Sequence, residues 1–379
     1  MKSILIVAGE NSGDGYGADV VREFKKRHGD LAFFGVGGER LAEEGVEICS
    51  SVKELGAVGI FEVLIRLPQI RRVFARLDKE IQARNPAAAV LIDSPDFNLR
   101  LAKKLHQAGV PVLYYISPTV WAWRRGRLKI IRKLVSRMCL IFPFEKKLYD
   151  DSGIPAVFVG HPLKEKVMTH LSREEFLTKY SLPRHGHLIT LLPGSRRTEI
   201  KNHLPVLLAA ARKLRAEIPV HFLLVLAESI DREYLHRYLP RGENGIDVLT
   251  ADRYEAMAQA DLVLSSCGTA NLEAVLLGTP LIAFYRLSPL TYYPFRRLVR
   301  IRAFSIVNIL AAGPAVPELI QGRFSSDRLI RETKALLSSP EKRARMKEEF
   351  RRVAGLLGQE KASQRVAQEL EGILFSRPH

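Results

Sequence analysis

The sequence predicts an α/β protein of two doubly wound domains facing each other across a cleft, and three observations carry that prediction. Short β-rich apolar runs alternate with longer helical patterns along the chain, which is the pattern of βα units and parallel sheets. At 379 residues the chain is longer than one hydrophobic core comfortably supports, so two domains are expected. Two turns, Leu191-Leu-Pro-Gly-Ser-Arg-Arg-Thr-Glu199 and Ser265-Ser-Cys-Gly-Thr-Ala-Asn-Leu-Glu273, each follow a run that reads as a buried strand and each lead into a helix start. Backbone N–H groups at such a start point at an anion, and two of them in one half of a chain suit a diphosphate.

Taken in order, the first half places strands at Ser3–Ala8, Ala32–Val36, Ala88–Ile92, Val112–Ile116 and Met138–Phe142. The second half places them at Leu188–Leu192, His221–Leu226, Ile246–Leu249, Leu262–Ser265 and Leu281–Phe284, with helices between. Turn residues from Gly160-His-Pro162 to Ser181-Leu-Pro183 separate the two series. The expected division is a Rossmann-like domain over 1–165, a second over 166–345, and helices over 346–379 that pack back on the first.

Composition narrows the class. Hydrophobic residues at 47% and charged residues at 26% make the chain globular and leave no segment reading as a long disordered tail. The first nine residues are apolar too briefly for a signal peptide and read as a strand, which points to the cytoplasm. Cys49, Cys139 and Cys267 lack metal-ligand spacing and read as reduced thiols. A formal charge of +17 calls for an anionic partner: nucleic acid, phospholipid or a phosphorylated substrate. Arginines mix with aliphatic and aromatic residues in three stretches, 65–76, 121–137 and 292–302, and such stripes suit a membrane interface better than a basic groove does.

Several motifs carry chemistry. In the two strand-to-helix turns, Gly194, Ser195, Gly268, Thr269 and Ala270 supply backbone N–H groups. Arg196 adds a fork of donors for phosphate oxygens, and Glu273 is suited to accept from a ribose. Asn308, Glu318 and Gln321, in loops or helix starts after the last expected strand, are suited to reading a sugar or a base edge. In the first half, Ala8-Gly-Glu-Asn-Ser-Gly-Asp14 lacks dinucleotide spacing, and its Glu10 and Asp14 favour a hydroxyl-rich ligand over phosphate; capping the first helix is the equal alternative. Leu91-Ile-Asp-Ser-Pro-Asp-Phe-Asn98 ends a central strand in two carboxylates. Asp93 is the candidate general base, and Asp96 is assigned to capping the following helix. Trp121 and Trp123 stand beside Arg124, apolar rings next to a phosphate-binding cation. His161 reads as a hinge or packing histidine. Phe61, Val63, Leu64 and Leu67 form an apolar face that enters lipid while Arg66, Arg71 and Arg72 meet headgroups, with core packing as the alternative.

These motifs, together with Phe142-Pro-Phe-Glu-Lys146 and Gly160-His-Pro162, resemble in type and order those of the lipid-A-disaccharide synthase family, from Ile4 to about Arg323. The resemblance implies the family B glycosyltransferase (GT-B) fold. It implies transfer of the 2,3-diacylglucosamine unit of a UDP donor to the 6-hydroxyl of 2,3-diacylglucosamine 1-phosphate, with inversion and without a covalent intermediate. On that basis Asp93 takes the hydroxyl proton, Gly194 to Arg196 and Gly268 to Ala270 hold the diphosphate, Glu273 binds ribose and Asn308 positions the donor. Glu10, Ser12, Asp14 and the Trp121–Arg124 segment line the acceptor side. No cofactor and no metal are expected, with helix dipoles and Arg196 in the metal's place. The enzyme is expected at the inner face of the cytoplasmic membrane as a peripheral protein, with a homodimer left open. A UDP-sugar epimerase of the same fold is the alternative, and it would act on a soluble substrate. A nucleic-acid-binding protein, which would bind with steep salt dependence, is disfavoured by the lack of a recognised module.

Overall fold

The computed structural model describes residues 2–55, 60–239, 245–288, 292 and 303–375, with the side chains of the helix Ile60–Arg84 described from Leu67 onward. The chain divides into two compact units, residues 1–162 with 357–379, and residues 163–356.

The first unit is built on β1 (Ser3–Ala8), β2 (Ala32–Gly37), β3 (Val46–Ser51), β4 (Ala88–Ile92), β5 (Val112–Tyr115), β6 (Arg137–Leu140) and β7 (Ala156–Phe158). They form one sheet in the order β3-β2-β1-β4-β5-β6-β7, and its ladders are parallel. Both faces are covered, so the inner strands are largely apolar. In β1, Leu5 and Val7 enter one core with Phe34, Leu91 and Tyr114, while Ile4, Ile6 and Ala8 enter another with Phe24, Val90 and Ile92. The helix Ala362–Phe375 completes that second core through Val366, Ala367 and Leu370. It is pinned at its rim by Glu369 to Arg137 at 2.8 Å and Glu371 to Arg27 at 3.2 Å.

The second unit has β8 (His187–Leu192), β9 (Val220–Val225), β10 (Ile246–Leu249), β11 (Leu262–Ser266), β12 (Leu281–Tyr285) and β13 (Glu318–Ile320), again parallel, in the order β10-β9-β8-β11-β12-β13. The unit runs through the helix Pro340–Leu356, past the boundary at 345 expected from composition; its Met346, Phe350 and Val353 are buried.

Three strands, β3, β7 and β13, were not expected from sequence, and all three lie at sheet edges. An edge strand has a polar side to present, so it lacks the unbroken apolar run that marks an inner strand. Glu318 accordingly belongs to β13 rather than to a loop or helix start.

In each sheet the strand order reverses once. The reversal falls between β1 and β4 in the first unit and between β8 and β11 in the second. Ligands of doubly wound sheets bind outside the carboxyl ends of the strands at such a point. The four loops that leave these strands begin at Gly9, Asp93, Pro193 and Cys267.

Candidate functional site

In the first unit the chain leaves β4 through two consecutive residues in the left-handed region, Asp93 (φ +50°) and Ser94 (φ +42°). Each costs about 1–2 kcal/mol relative to ordinary backbone, and such outliers gather where a side chain has to be aimed. The turn fits only because residue 9 is glycine: a Cβ there would sit 1.8 Å from Ser94 Oγ. Pro95 then starts the helix Pro95–Gln107. The turn is tied from below. Asn98 Nδ2 donates to the carbonyls of Ile92 (3.0 Å) and Asp93 (2.8 Å), and the Tyr114 hydroxyl donates to the Asp93 carbonyl at 2.6 Å. Burial, helped by the charge of Glu10, pushes the Asp93 carboxyl up to about 6. A carboxylate with that affinity for protons, at a strand end beside a switch point, is suited to general-base work near neutral pH.

The neighbouring side chains divide into exposed and committed ones. Glu10 and Ser12 are exposed at the start of the helix Asn11–Lys25. Asp14 is buried, and its carboxylate accepts from the backbone N–H groups of Gly38 (2.5 Å), Arg40 (3.2 Å) and Leu41 (3.4 Å). It thus caps the helix Glu39–Glu43, and the expectation of a ligand contact gives way to that of a brace for the first loop. Asp96 makes no capping bond. Its carboxylate pairs with Arg127 and, at 3.2 Å, with Arg124, because the helix start is left to Ser94 and Pro95 while two guanidiniums stand opposite.

The tryptophan segment leaves β5 through Ile116 (φ +69°), a β-branched residue in the left-handed region and therefore a strained one. Trp121 packs edge-on against Phe144 at 5.2 Å, Trp123 Nε1 donates to Thr119 Oγ1 at 3.0 Å, and Arg124 stacks over Trp123 at 4.2 Å. Behind the segment Glu145 is buried, and burial raises its carboxyl to about 8; hydrogen bonds from Ser117 and the Phe142 N–H oppose the rise. His161 is buried against Phe142 at 5.3 Å, and burial lowers its imidazole to about 3, so it packs as a neutral ring.

In the second unit the loop after β8 is held by its carbonyls. Pro193 O accepts from His203 Nδ1 (2.7 Å), Ser195 O from Ser229 Oγ (2.6 Å) and Arg197 O from the Tyr234 hydroxyl (3.0 Å). His203 Nε2 accepts from Arg286 N–H at 3.0 Å, so the buried imidazole is neutral with its proton on Nδ1, and burial lowers its pKa. Glu199 accepts from Ser195 N–H (2.9 Å) and from the Tyr285 hydroxyl (3.1 Å). Glu199 and His203, one turn apart on the helix Arg197–Glu217, therefore tie the loop after β8 to the end of β12, on the far side of β11. Gly194 (φ +126°) has to be glycine on two counts, since a Cβ would also meet Glu199 Oε2 at 2.3 Å.

The two adjacent arginines are not equivalent. Arg197 pairs with Asp231 at 2.6 Å and lies over the Tyr234 ring at 5.2 Å. Arg196, 55% exposed, has among the described residues only the looser Glu199 contact at 3.7 Å. After β11, Gly268 starts the helix Thr269–Leu277 without a side-chain cap, and Gly268 and Thr269 are exposed. Among the described residues no side chain accepts from its first-turn N–H groups. Asn271 secures the turn from inside, donating to Ser265 Oγ (3.0 Å) and the Ser266 carbonyl (3.1 Å). Glu273 is buried and paired with the Arg253 guanidinium; burial raises its carboxyl against that charge.

Asn308 spends its amide inside the unit. It exchanges hydrogen bonds with Val316 (3.0 and 2.9 Å) and donates to Glu318 at 2.7 Å, while Glu318 also accepts from Phe304 and Ser305 N–H. The side chain expected to position the donor is thus a clamp between the helix Ile306–Leu310 and β13. Sequence reading did not pick out Asn98, Tyr114, His203 or Tyr285. Glu199, at the third position of its helix, carried a weak signal as a capping residue.

The switch-point loops, with an aimed carboxylate in one unit and an anion-receptive glycine turn beside a largely free arginine in the other, sit on the family B glycosyltransferase fold. A putative UDP-N-acetylglucosamine 2-epimerase from Listeria monocytogenes superposes with a TM-score of 0.69 at 14% identity, over 100% of this chain and 97% of that one. A glycosyltransferase from Rickettsia africae ESF-5 does so at 0.61 and 14%, over 100% and 99%. These likenesses establish the fold alone. The activity class comes from sequence: the family model Lipid-A-disaccharide synthetase matches residues 4–371, and the lipid-A-disaccharide synthase of Syntrophus aciditrophicus strain SB is 42% identical over 368 residues, 97% of this chain and 96% of that protein. The chain belongs to the lipid-A-disaccharide synthase family; it is a glycosyltransferase of lipid A disaccharide synthesis, and the epimerase alternative falls away.

Proposed function

We propose that the enzyme condenses UDP-2,3-diacylglucosamine with 2,3-diacylglucosamine 1-phosphate to give the β-1,6-linked disaccharide 1-phosphate and UDP, by single displacement. The Asp93 carboxylate accepts the proton of the acceptor 6-hydroxyl as its oxygen bonds to the donor's anomeric carbon, and the bond from that carbon to the diphosphate oxygen breaks with inversion. Gly194, Ser195, Arg196 and the open turn Gly268–Ala270 take the charge developing on the leaving UDP. Glu273, held by Arg253, accepts from the ribose. Asn308 acts through its clamp on Glu318, while Glu10, Ser12, Trp121, Trp123 and Arg124 line the acceptor side, with Asp14 bracing their loop.

The observation that carries the assignment of the base is Asp93 itself: an aimed carboxyl at the switch point, raised to about 6. The reaction is tested by incubating the protein with the diacylated UDP donor and the acceptor monosaccharide. Disaccharide and UDP are expected in equal amounts. Release of an epimerised sugar, or equal activity on the deacylated donor, would contradict the proposal.

The place of work we infer is the inner face of the cytoplasmic membrane, reached peripherally. Among the described residues no helix is long and apolar enough to cross a membrane. In the helix Ile60–Arg84, Val73, Leu77 and Ile81 supply the core face, Arg71 and Arg72 are exposed and Leu67 is half-buried. Phe61, Val63, Leu64 and Arg66 lie outside the described side chains, so the lipid-facing assignment rests on sequence. Replacing Phe61, Val63, Leu64 and Leu67 together by serine is expected to release the protein from anionic vesicles in a flotation assay. Unchanged flotation would remove this helix from the account.

A further inference from the structure

Asp93 does not reach its position by local preference, and what holds it is a pair of fully buried side chains. Asp93 and Ser94 are both left-handed, a conformation that two successive non-glycine residues abandon unless the surroundings over-determine it. The carbonyl of Asp93 receives two hydrogen bonds at once, from Tyr114 at 2.6 Å and from Asn98 at 2.8 Å, while Asp93 N–H donates to the Tyr115 carbonyl at 2.9 Å. Asn98 and Tyr114 are each 0% exposed. The amide of Asn98 gives both its protons to the backbone of the turn, at Ile92 and Asp93.

We infer that Asn98 and Tyr114 are positioning residues for the reaction: by gripping the backbone carbonyl of Asp93 they hold the strained turn that aims its carboxylate. The inference rests on Asp93 being the base. Relaxing the turn by even an ångström misdirects the carboxylate toward the acceptor hydroxyl and changes its burial. The charged and titratable groups facing this turn are Glu10 from the loop after β1 and Tyr114 from β5, with Tyr149, Arg127 and Asp96 near the Tyr114 phenol.

Tyr114→Phe removes one hydroxyl and keeps the packing, and Asn98→Leu removes both amide donors while leaving the Tyr114 bond in place. Each is expected to lower kcat by about tenfold or more with little change in KM for the UDP donor. Each is also expected to shift the acid limb of the kcat profile downward, as the carboxyl relaxes toward water. UDP binding, assigned to the other unit, should be unaltered, and a parent-like melting curve and circular dichroism spectrum show that the mutated unit is folded. Wild-type kcat and an unmoved acid limb in a variant that binds UDP would overturn the positioning role. Asp93→Ala is run alongside: if it is active, the base assignment itself has failed, whereas an inactive Asp93→Ala with unaffected Tyr114→Phe and Asn98→Leu sinks only the inference drawn here.

Discussion

Asp93→Ala is expected to lower kcat by about a thousandfold or more, the range in which a positioned general base contributes. Near-normal turnover of acylated donor and acceptor would remove Asp93 from the mechanism. The pH dependence follows from the same residue. Its carboxyl, raised from the ordinary 3.8 to about 6 by burial and by Glu10, has to be ionised to accept a proton. Activity therefore falls as pH drops through about 6, not through the usual carboxylate range. The stability effect has the opposite sign. A raised carboxyl pKa means the folded state favours the neutral form, so the ionised group costs stability above about 6 and costs nothing below 3.8. Asp93→Asn is accordingly expected to be more stable than the parent at neutral pH, by on the order of 3 kcal/mol, and so to melt higher, while being inactive. A lower melting temperature in that variant would contradict the burial-driven shift.

Arg196→Ala should have the second-largest effect. The loop after β8 has its carbonyls tied back by His203, Ser229 and Tyr234, and the adjacent Arg197 is engaged with Asp231 and Tyr234. That leaves Arg196 as the guanidinium of this loop able to meet the leaving diphosphate. Charge on the bridging oxygens grows as the glycosidic bond breaks, so the interaction is stronger in the transition state than in the bound donor. Its loss is expected to lower kcat by about two orders of magnitude, with a smaller rise in KM. Arg196→Lys should recover only part, since an ammonium keeps the charge and loses the planar fork. A variant whose KM alone rises would make Arg196 a ground-state anchor.

The inner strands and both glycine turns were legible in the sequence because their signals are local. β1, β4, β8 and β11 are buried on both faces and so are mostly apolar, with polar residues such as Thr190 and Ser265 buried as well. Asp93 was legible too, as a carboxylate standing directly after such a run. The edge strands β3, β7 and β13 were not, because part of an edge strand faces solvent and breaks the apolar run. Nor were the side chains whose partners are distant in the chain. Asp14 serves backbone N–H groups at 38, 40 and 41, Asn308 serves Val316 and Glu318, and His203 joins Pro193 to Arg286. A polar side chain in a site motif looks the same in sequence whether it faces the ligand or the protein. Only the fold separates Asp14, turned inward, from Glu10 and Ser12, turned out.

The central claim is a division of labour, with proton transfer in the first unit and leaving-group binding in the second. Titrating UDP into purified Asp93→Ala and Arg196→Ala enzymes by calorimetry tests it most directly. The account predicts that Asp93→Ala binds UDP as the parent does, within about twofold, although its turnover is lost, while Arg196→Ala binds at least about tenfold more weakly. Weakened UDP binding in Asp93→Ala, or parent-like binding in Arg196→Ala, would contradict it.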